Sequence, residues 1–149
     1  MMIKHTRLLL IVEDSDEDFE ATLRALKKSS IDCEIYRCVD GEDALDFLYR
    51  RGKYFGEHNK RPSVILLDLN LPGTDGRDVL KEVKRQASLK SIPVIILSTS
   101  SNPIDIETSY QNGANSYMVK PVNYPAFTEA IKSFEDFWFR VAVLSNDIL

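Results

Sequence analysis

Four short apolar runs, at residues 8–12, 64–67, 94–97 and 116–119, constrain this chain more than anything else in it. Each is too short for a helix of ordinary length. The first three lack the apolar-polar alternation of a strand with one wet face, so they read as strands covered on both sides, the mark of a parallel sheet. Each run ends in chemistry: Glu13 and Asp14 follow the first, Asp68 the second, Ser98 the third and Lys120 the fourth. Ionised groups at the rim of an apolar sheet need partners or a task.

The segments between the runs carry helical periodicity. Ser15 and Asp18 form a capping pair, with Phe19, Leu23 and Leu26 on one helical face. A weaker strand over 34–39 leads through Asp40-Gly41 to a second helix with Ala44, Leu45, Leu48 and Tyr49 inward. Residues 52–62 are polar and read as a lengthened loop. The basic residues in it and just before it, Arg50, Arg51, Lys53, Lys60 and Arg61, form either a docking patch for an acidic surface or a plain solvated loop. Gly73 and Gly76 flank the turn into a third helix with Val79, Leu80 and Val83 inward. The fourth helix has Asn102 as N-cap, Pro103 at its first position and Gly113 as its stop. Its core face is thin, Ile106 and Tyr110 with Ile104 at the margin, which suits an element that shifts. The last helix begins near residue 124 and runs past Trp138. The expectation is one α/β domain over 1–149, with five strands and five helices.

A chain of 149 residues at 44% hydrophobic is large enough to bury about 70% of its unfolded surface as a single domain. The net charge of −4 argues against a nucleic-acid surface, which needs a basic face. No apolar stretch approaches the roughly 18–20 residues that cross a bilayer, and residues 1–7 lack the apolar core of a signal peptide, so a cytoplasmic location with no membrane partner is expected. Cys33 and Cys38, on one extended strand, stand roughly 16 Å apart, too far to bridge. His5 and His58 are isolated and form no zinc site.

In a doubly wound sheet the ligand site lies at the carboxyl ends of the strands, where strand order reverses. If the first and second apolar runs, the first and third strands in chain order, are neighbours, Glu13, Asp14 and Asp68 meet there, and their mutual repulsion implies a divalent cation. Mg²⁺ suits oxygen donors of this kind. A carboxylate beside that cation, with Lys120 and the Ser98 hydroxyl converging on it, is equipped to accept a phosphoryl group, with Asp68 as the nucleophile.

The acidic pair Glu13-Asp14, Asp68 within Asp68-Leu69-Asn70-Leu71-Pro72, Gly76, Ser98 and Lys120-Pro121 resemble the receiver domains of two-component response regulators. The thirty residues from Asp68 to Ser98 and the twenty-two from there to Lys120 fit that family. The resemblance covers nearly the whole chain and implies a flavodoxin-like five-stranded parallel sheet in the order 2-1-3-4-5, with the first and fifth helices on one face. It implies that Asp14, Asp68 and the backbone carbonyl of Asn70 hold Mg²⁺, with Glu13 acting through a water. It further implies that Ser98, Thr99 and Lys120 bind the phosphoryl group, that Tyr117 is the switch aromatic, and that the Lys120–Pro121 bond is cis.

Tyr54, Arg61-Pro62, residues 66–72, Gly76-Arg77, Ile92-Pro93 and Phe137-Trp138 are similar to a narrower group, the single-domain response regulators that serve cyanobacterial phytochromes. Thr99 departs from the wider family, which has a smaller residue there, and with Ser100 and Asn70 it bears on the lifetime of the phosphorylated state. The implied function is a phospho-acceptor without an output domain, served by a histidine kinase of the phytochrome type. It is a switch and not an enzyme acting on a separate substrate. A phosphotransfer intermediate in a relay and an unphosphorylated interaction module are the alternatives. An aspartyl phosphatase is disfavoured because Asn70 stands where such enzymes carry a second acid.

A homodimer is also expected. Phe127, Ile131, Phe134, Trp138 and Val141 form one helical stripe for the sheet. Phe137, Phe139 and Leu144 fall off it, so with Trp138 they are the candidates for an interface, the alternative being that they fold back on their own subunit.

Overall fold

The unbroken apolar runs form the middle of a sheet. In the computed structural model, which describes residues 7–28, 33–57 and 61–147, five strands are all parallel: β1 (Arg7–Val12), β2 (Cys33–Cys38), β3 (Val64–Leu67), β4 (Val94–Ser98) and β5 (Ser116–Val119). Their order is β2-β1-β3-β4-β5. Every residue of β3 and β4 is buried, whereas the edge strands β2 and β5 keep partly exposed positions, as strands with one unpaired side do. His5, His58 and Lys60 lie outside the described residues.

Helices α1 (Asp16–Lys27) and α5 (Tyr124–Glu135) cover one face of the sheet, where Ala25, Leu26, Phe127, Ile131 and Phe134 meet Leu9, Ile11 and Leu66. Helices α2 (Gly41–Tyr49) and α3 (Gly76–Arg85) pack Phe47, Val79, Leu80 and Val83 on the other. Side chains of this size contribute about 1.5–3 kcal/mol each when fully buried. Ser15, Asp40, Asp75, Asn102 and Asn123 each accept an N–H from the first turn of the helix they precede, so every helix start is written into the sequence. Helix α4 (Pro103–Gln111) buries only Ser109, and Gly113, at φ +100°, follows its end.

Four expectations need correction. The strand expected over 34–39 begins and ends one residue earlier, leaving Val39 outside the ladder. The polar loop after α2 contains a 3-10 turn, Gly52–Tyr54, because Tyr54 is buried and its hydroxyl donates to Asp43 Oδ1 at 2.7 Å. Arg51 and Lys53 pair with Asp46 and Asp43 of their own subunit, at 2.7 and 3.3 Å. No peptide bond among the described residues is cis, Lys120–Pro121 included; trans is the lower-energy form of an X–Pro bond by about 0.5–1 kcal/mol.

The largest correction concerns the C-terminus. After Glu135 the helix widens into a π turn, Asp136–Val141, in which Ala142 N–H donates to Phe137 O at 2.7 Å. A π turn closes over i→i+5 and shifts the stripe by one residue. Phe139, five positions after Phe134, therefore faces the sheet, with the two rings 6.2 Å apart in an edge arrangement. Phe139 and Leu144, expected at a dimer interface, are buried in their own subunit at 6% and 2% exposure. Trp138 is half-buried against the same cluster. Val141, expected on the stripe, is 66% exposed. Only Phe137 of the four interface candidates is largely exposed, at 51%. The segment is closed by Arg7, whose guanidinium donates to Phe139 O and pairs with Asp147 at 2.7 Å.

Cys33 and Cys38 lie at opposite ends of β2 and form no disulfide. Burial and the nearby Asp43 charge push the Cys38 thiol up to about 12, which leaves it unreactive.

Candidate functional site

Strand register brings the acids together. Val12 stands opposite Leu67, so Glu13 and Asp68 leave the sheet side by side, and the Asp68 N–H donates to Val12 O at 3.0 Å. Ser98 stands opposite Val119, and Lys120 N–H donates to Ser98 O at 2.7 Å. From there Lys120 Nζ reaches across to β1 and β3, 2.7 Å from Glu13 Oε1 and 3.1 Å from Asp68 Oδ2. Glu13, Asp68, Ser98 and Lys120 are all buried, while Asp14 is exposed at the rim.

Gly76 fixes the position of the acceptor loop. A Cβ there would stand 2.1 Å from Asp68 O and 2.7 Å from Leu69 Cα, so only glycine lets α3 start against this backbone. Its N–H donates to Leu69 O, and Asn70 N–H donates to Asp68 Oδ1 at 3.2 Å.

One ammonium faces several carboxylates. Burial pushes the Glu13 carboxyl up; Lys120 pulls it down, the Asp68 charge pushes it up again, and the balance lies at about 7. Burial opposes the charge on Lys120, but its hydrogen bonds to Asp18 and Glu13 outweigh that and hold it well above the ordinary lysine value. Lys120 thus stays charged, and the excess of negative charge falls on the carboxylates. One oxygen each from Glu13, Asp14 and Asp68 lie within 4.8 Å of one another. Three hard oxygen donors with surplus negative charge fit a divalent cation.

Ser98 and Tyr117 belong to a second group. Ser98 Oγ accepts the Ser100 N–H at 3.1 Å, and the Tyr117 hydroxyl donates to Ser100 O at 2.8 Å. Thr99 is exposed directly after β4. Asp18 was missed by the sequence reading. It donates its backbone N–H to the Ser15 cap at 3.2 Å, as expected, but its carboxylate also binds Lys120 Nζ at 2.9 Å. The signal was the run of three acids, Asp16 to Asp18, in one helical turn beside the site.

A parallel sheet in this order, with an acid cluster and a lysine at its carboxyl ends, defines a receiver fold, and residues 9–132 match the response regulator receiver domain family. The chain belongs to that family. It is similar to response regulator Rcp1 of Synechocystis sp., at 41% identity over 93% of this chain and 92% of the relative. Among solved structures, the Mn²⁺-bound form of Rcp1 superposes with a TM-score of 0.89 at 41% identity, covering 93% of this chain and 98% of that one. The phosphorylated cyanobacterial phytochrome response regulator RcpA does so with a TM-score of 0.89 at 39% identity, covering 95% and 99%. The likeness thus extends to the narrower phytochrome-related group.

Proposed function

We propose that the chain is a phospho-accepting switch in which Asp68 takes a phosphoryl group from a phosphohistidine of a phytochrome-type histidine kinase. One carboxylate oxygen of Asp68 forms the bond to phosphorus as the phosphorus–nitrogen bond to the imidazole breaks, and the electron pair leaves with the ring nitrogen. The observation that carries this reading is Asp68 itself, buried at a strand end within 3.1 Å of a lysine that two other carboxylates also hold. Lys120 keeps the developing phosphoryl charge compensated, and Glu13, Asp14 and Asp68 are the side chains that would hold Mg²⁺, with the Asn70 carbonyl. Bound Mg²⁺ would supply charge neutralisation on the transferring oxygens.

Membership of the phytochrome-related group supports the kinase type. The chain takes up and loses its own phosphoryl group and turns over no separate substrate. A cytoplasmic location accords with such a partner, and no helix among the described residues is long and apolar enough to cross a membrane. A homodimer, if formed through the C-terminal segment, would use Phe137 with Val141 and Val143, which are exposed, and not Phe139 or Leu144.

Incubation with Mg²⁺ and acetyl phosphate, read by intact mass, tests the reading. Wild type is expected to gain one phosphoryl group and Asp68→Asn none; uptake by the variant would move the acceptor elsewhere. Asp14→Ala should weaken the metal dependence and leave the acceptor in place.

A further inference from the structure

Helix α4 has almost no apolar hold on the sheet, yet it is tied down by charge. Asp105, in its first turn, accepts the Ser100 hydroxyl on Oδ2 at 2.7 Å and the Arg77 guanidinium on Oδ1 at 3.0 and 3.3 Å. Arg77 is anchored in turn on Asp75, the N-cap of α3, through two contacts of 3.1 and 3.2 Å. Ser100 is the residue whose N–H binds Ser98 Oγ and whose carbonyl receives the Tyr117 hydroxyl. A continuous chain of bonds therefore runs from the buried hydroxyl beside the acceptor to α4 and on to α3. The side chains of Arg77 and Asp105 are 33% and 25% exposed, so the pair is shielded enough to matter and open enough to break.

We propose that Asp105 is a positioning residue that, pinned between the Ser100 hydroxyl and the Arg77 guanidinium, latches α4 to the turn carrying Ser98 and to α3 until Asp68 is phosphorylated. The inference rests on the reading of Asp68 as acceptor. When the Ser98 hydroxyl turns to donate to a phosphoryl oxygen, its oxygen withdraws from the Ser100 N–H. The 98–100 turn shifts and Ser100 leaves Asp105; because the carboxylate is fixed only while both partners hold it, loss of either one opens the latch. With Ser109 as its one buried residue, α4 has little else to hold its place. Asp105, being in the first turn, also favours the helix through its charge at the N-terminal end. Removing Arg77 separates the two roles, because it breaks the latch and leaves that charge in place.

Amide hydrogen exchange over residues 100–111 tests the latch on the full chain, with and without acetyl phosphate and Mg²⁺, while intact mass records phosphoryl uptake in the same samples. In the unphosphorylated protein, Asp105→Asn and Arg77→Gln are each expected to speed exchange about tenfold, the scale of one hydrogen bond to a charged group. Phosphorylating wild type should speed the same amides, and phosphorylating either variant should add less than about twofold more. Glu107→Gln, on α4 but outside the latch, should exchange like wild type. An effect of Asp105→Asn without one of Arg77→Gln would assign the role to helix-end charge and overturn the latch. So would variants that respond to phosphorylation as fully as wild type. A wild type that takes up the phosphoryl group with α4 exchange unchanged or slower refutes the latch alone, whereas no uptake refutes the acceptor reading on which it rests.

Discussion

Helix α4 and the C-terminal segment are both late, surface elements of the same sheet, and they are held by opposite means. Helix α5 buries Phe127, Thr128, Ile131, Phe134 and Glu135, and the π turn adds Phe139 before Leu144 closes the cluster. Helix α4 buries Ser109 and otherwise rests on Asp105, Arg77 and the hydroxyl of Tyr110, which accepts the Tyr117 N–H at 3.1 Å. Apolar burial is non-directional and survives small displacements. A hydrogen bond between ions is directional, so a rearrangement of one hydroxyl is enough to release it. On the proposed latch, the element that stays is fastened mainly by the first means and the element that shifts mainly by the second.

Truncating the anchored side should have the largest effect on stability. Phe139→Ala removes a ring buried against Phe134 and is expected to cost about 3–5 kcal/mol in denaturant unfolding. Phosphoryl uptake by the folded fraction should stay normal, since Phe139 is bound by Arg7 at the amino end of β1, whereas Asp68 lies at the carboxyl end of the sheet. A loss under 1 kcal/mol would mean that the π turn is not seated on the core as described.

The polar clasp of the same segment ranks next. Arg7→Ala breaks the bonds to Asp147 and Phe139 O and should cost about 2 kcal/mol, within the range for hydrogen bonds to charged groups. Trp138, the chain's single tryptophan, sits beside Phe139 and should report the loosening as a fluorescence shift. An unchanged emission with unchanged stability would show the clasp to be incidental.

The pH response of that clasp has a definite sign. Burial raises the Asp147 carboxyl, but the Arg7 hydrogen bond, the Leu144 N–H and the Arg7 charge outweigh it and hold the group below the ordinary value of 3.8. A depressed folded pKa contributes stability above the unfolded value that is lost as pH falls through the folded one. The clasp should therefore hold throughout neutral and mildly acidic solution and give way only below pH 3.8. Trp138 emission in Arg7→Ala and wild type should converge there; convergence already near pH 6 would contradict the assignment.

The smallest effects belong to the exposed positions. Ile104→Ala on α4, at 72% exposure, and Phe137→Asp on the π turn should each change stability by no more than about 0.5 kcal/mol. Sedimentation of Phe137→Asp then isolates association from folding: a wild-type dimer that persists unchanged in the variant removes this face as its interface.

The sequence by itself determined what local pattern and chain order can determine. Unbroken apolar runs made the strands, capping residues set each helix start, and the position of Glu13, Asp68 and Lys120 just past a strand put them at one end of any parallel sheet. The thin face of α4 was legible for the same reason, since burial follows the helical period. What only the tertiary structure decided depends on residues distant in the chain. Asp18 reads as part of a cap until Lys120, more than a hundred residues on, is seen to reach its carboxylate. Asp105 reads as an exposed acid until Arg77 and Ser100 close on it. The π turn that buries Phe139 and frees Val141 is set by packing against the sheet and by Arg7 at the opposite end of the sequence. A helix stripe extrapolated at constant period assumes that the backbone keeps its own geometry, and here the gain from burying an aromatic ring outweighs the poorer hydrogen bonding of one wide turn.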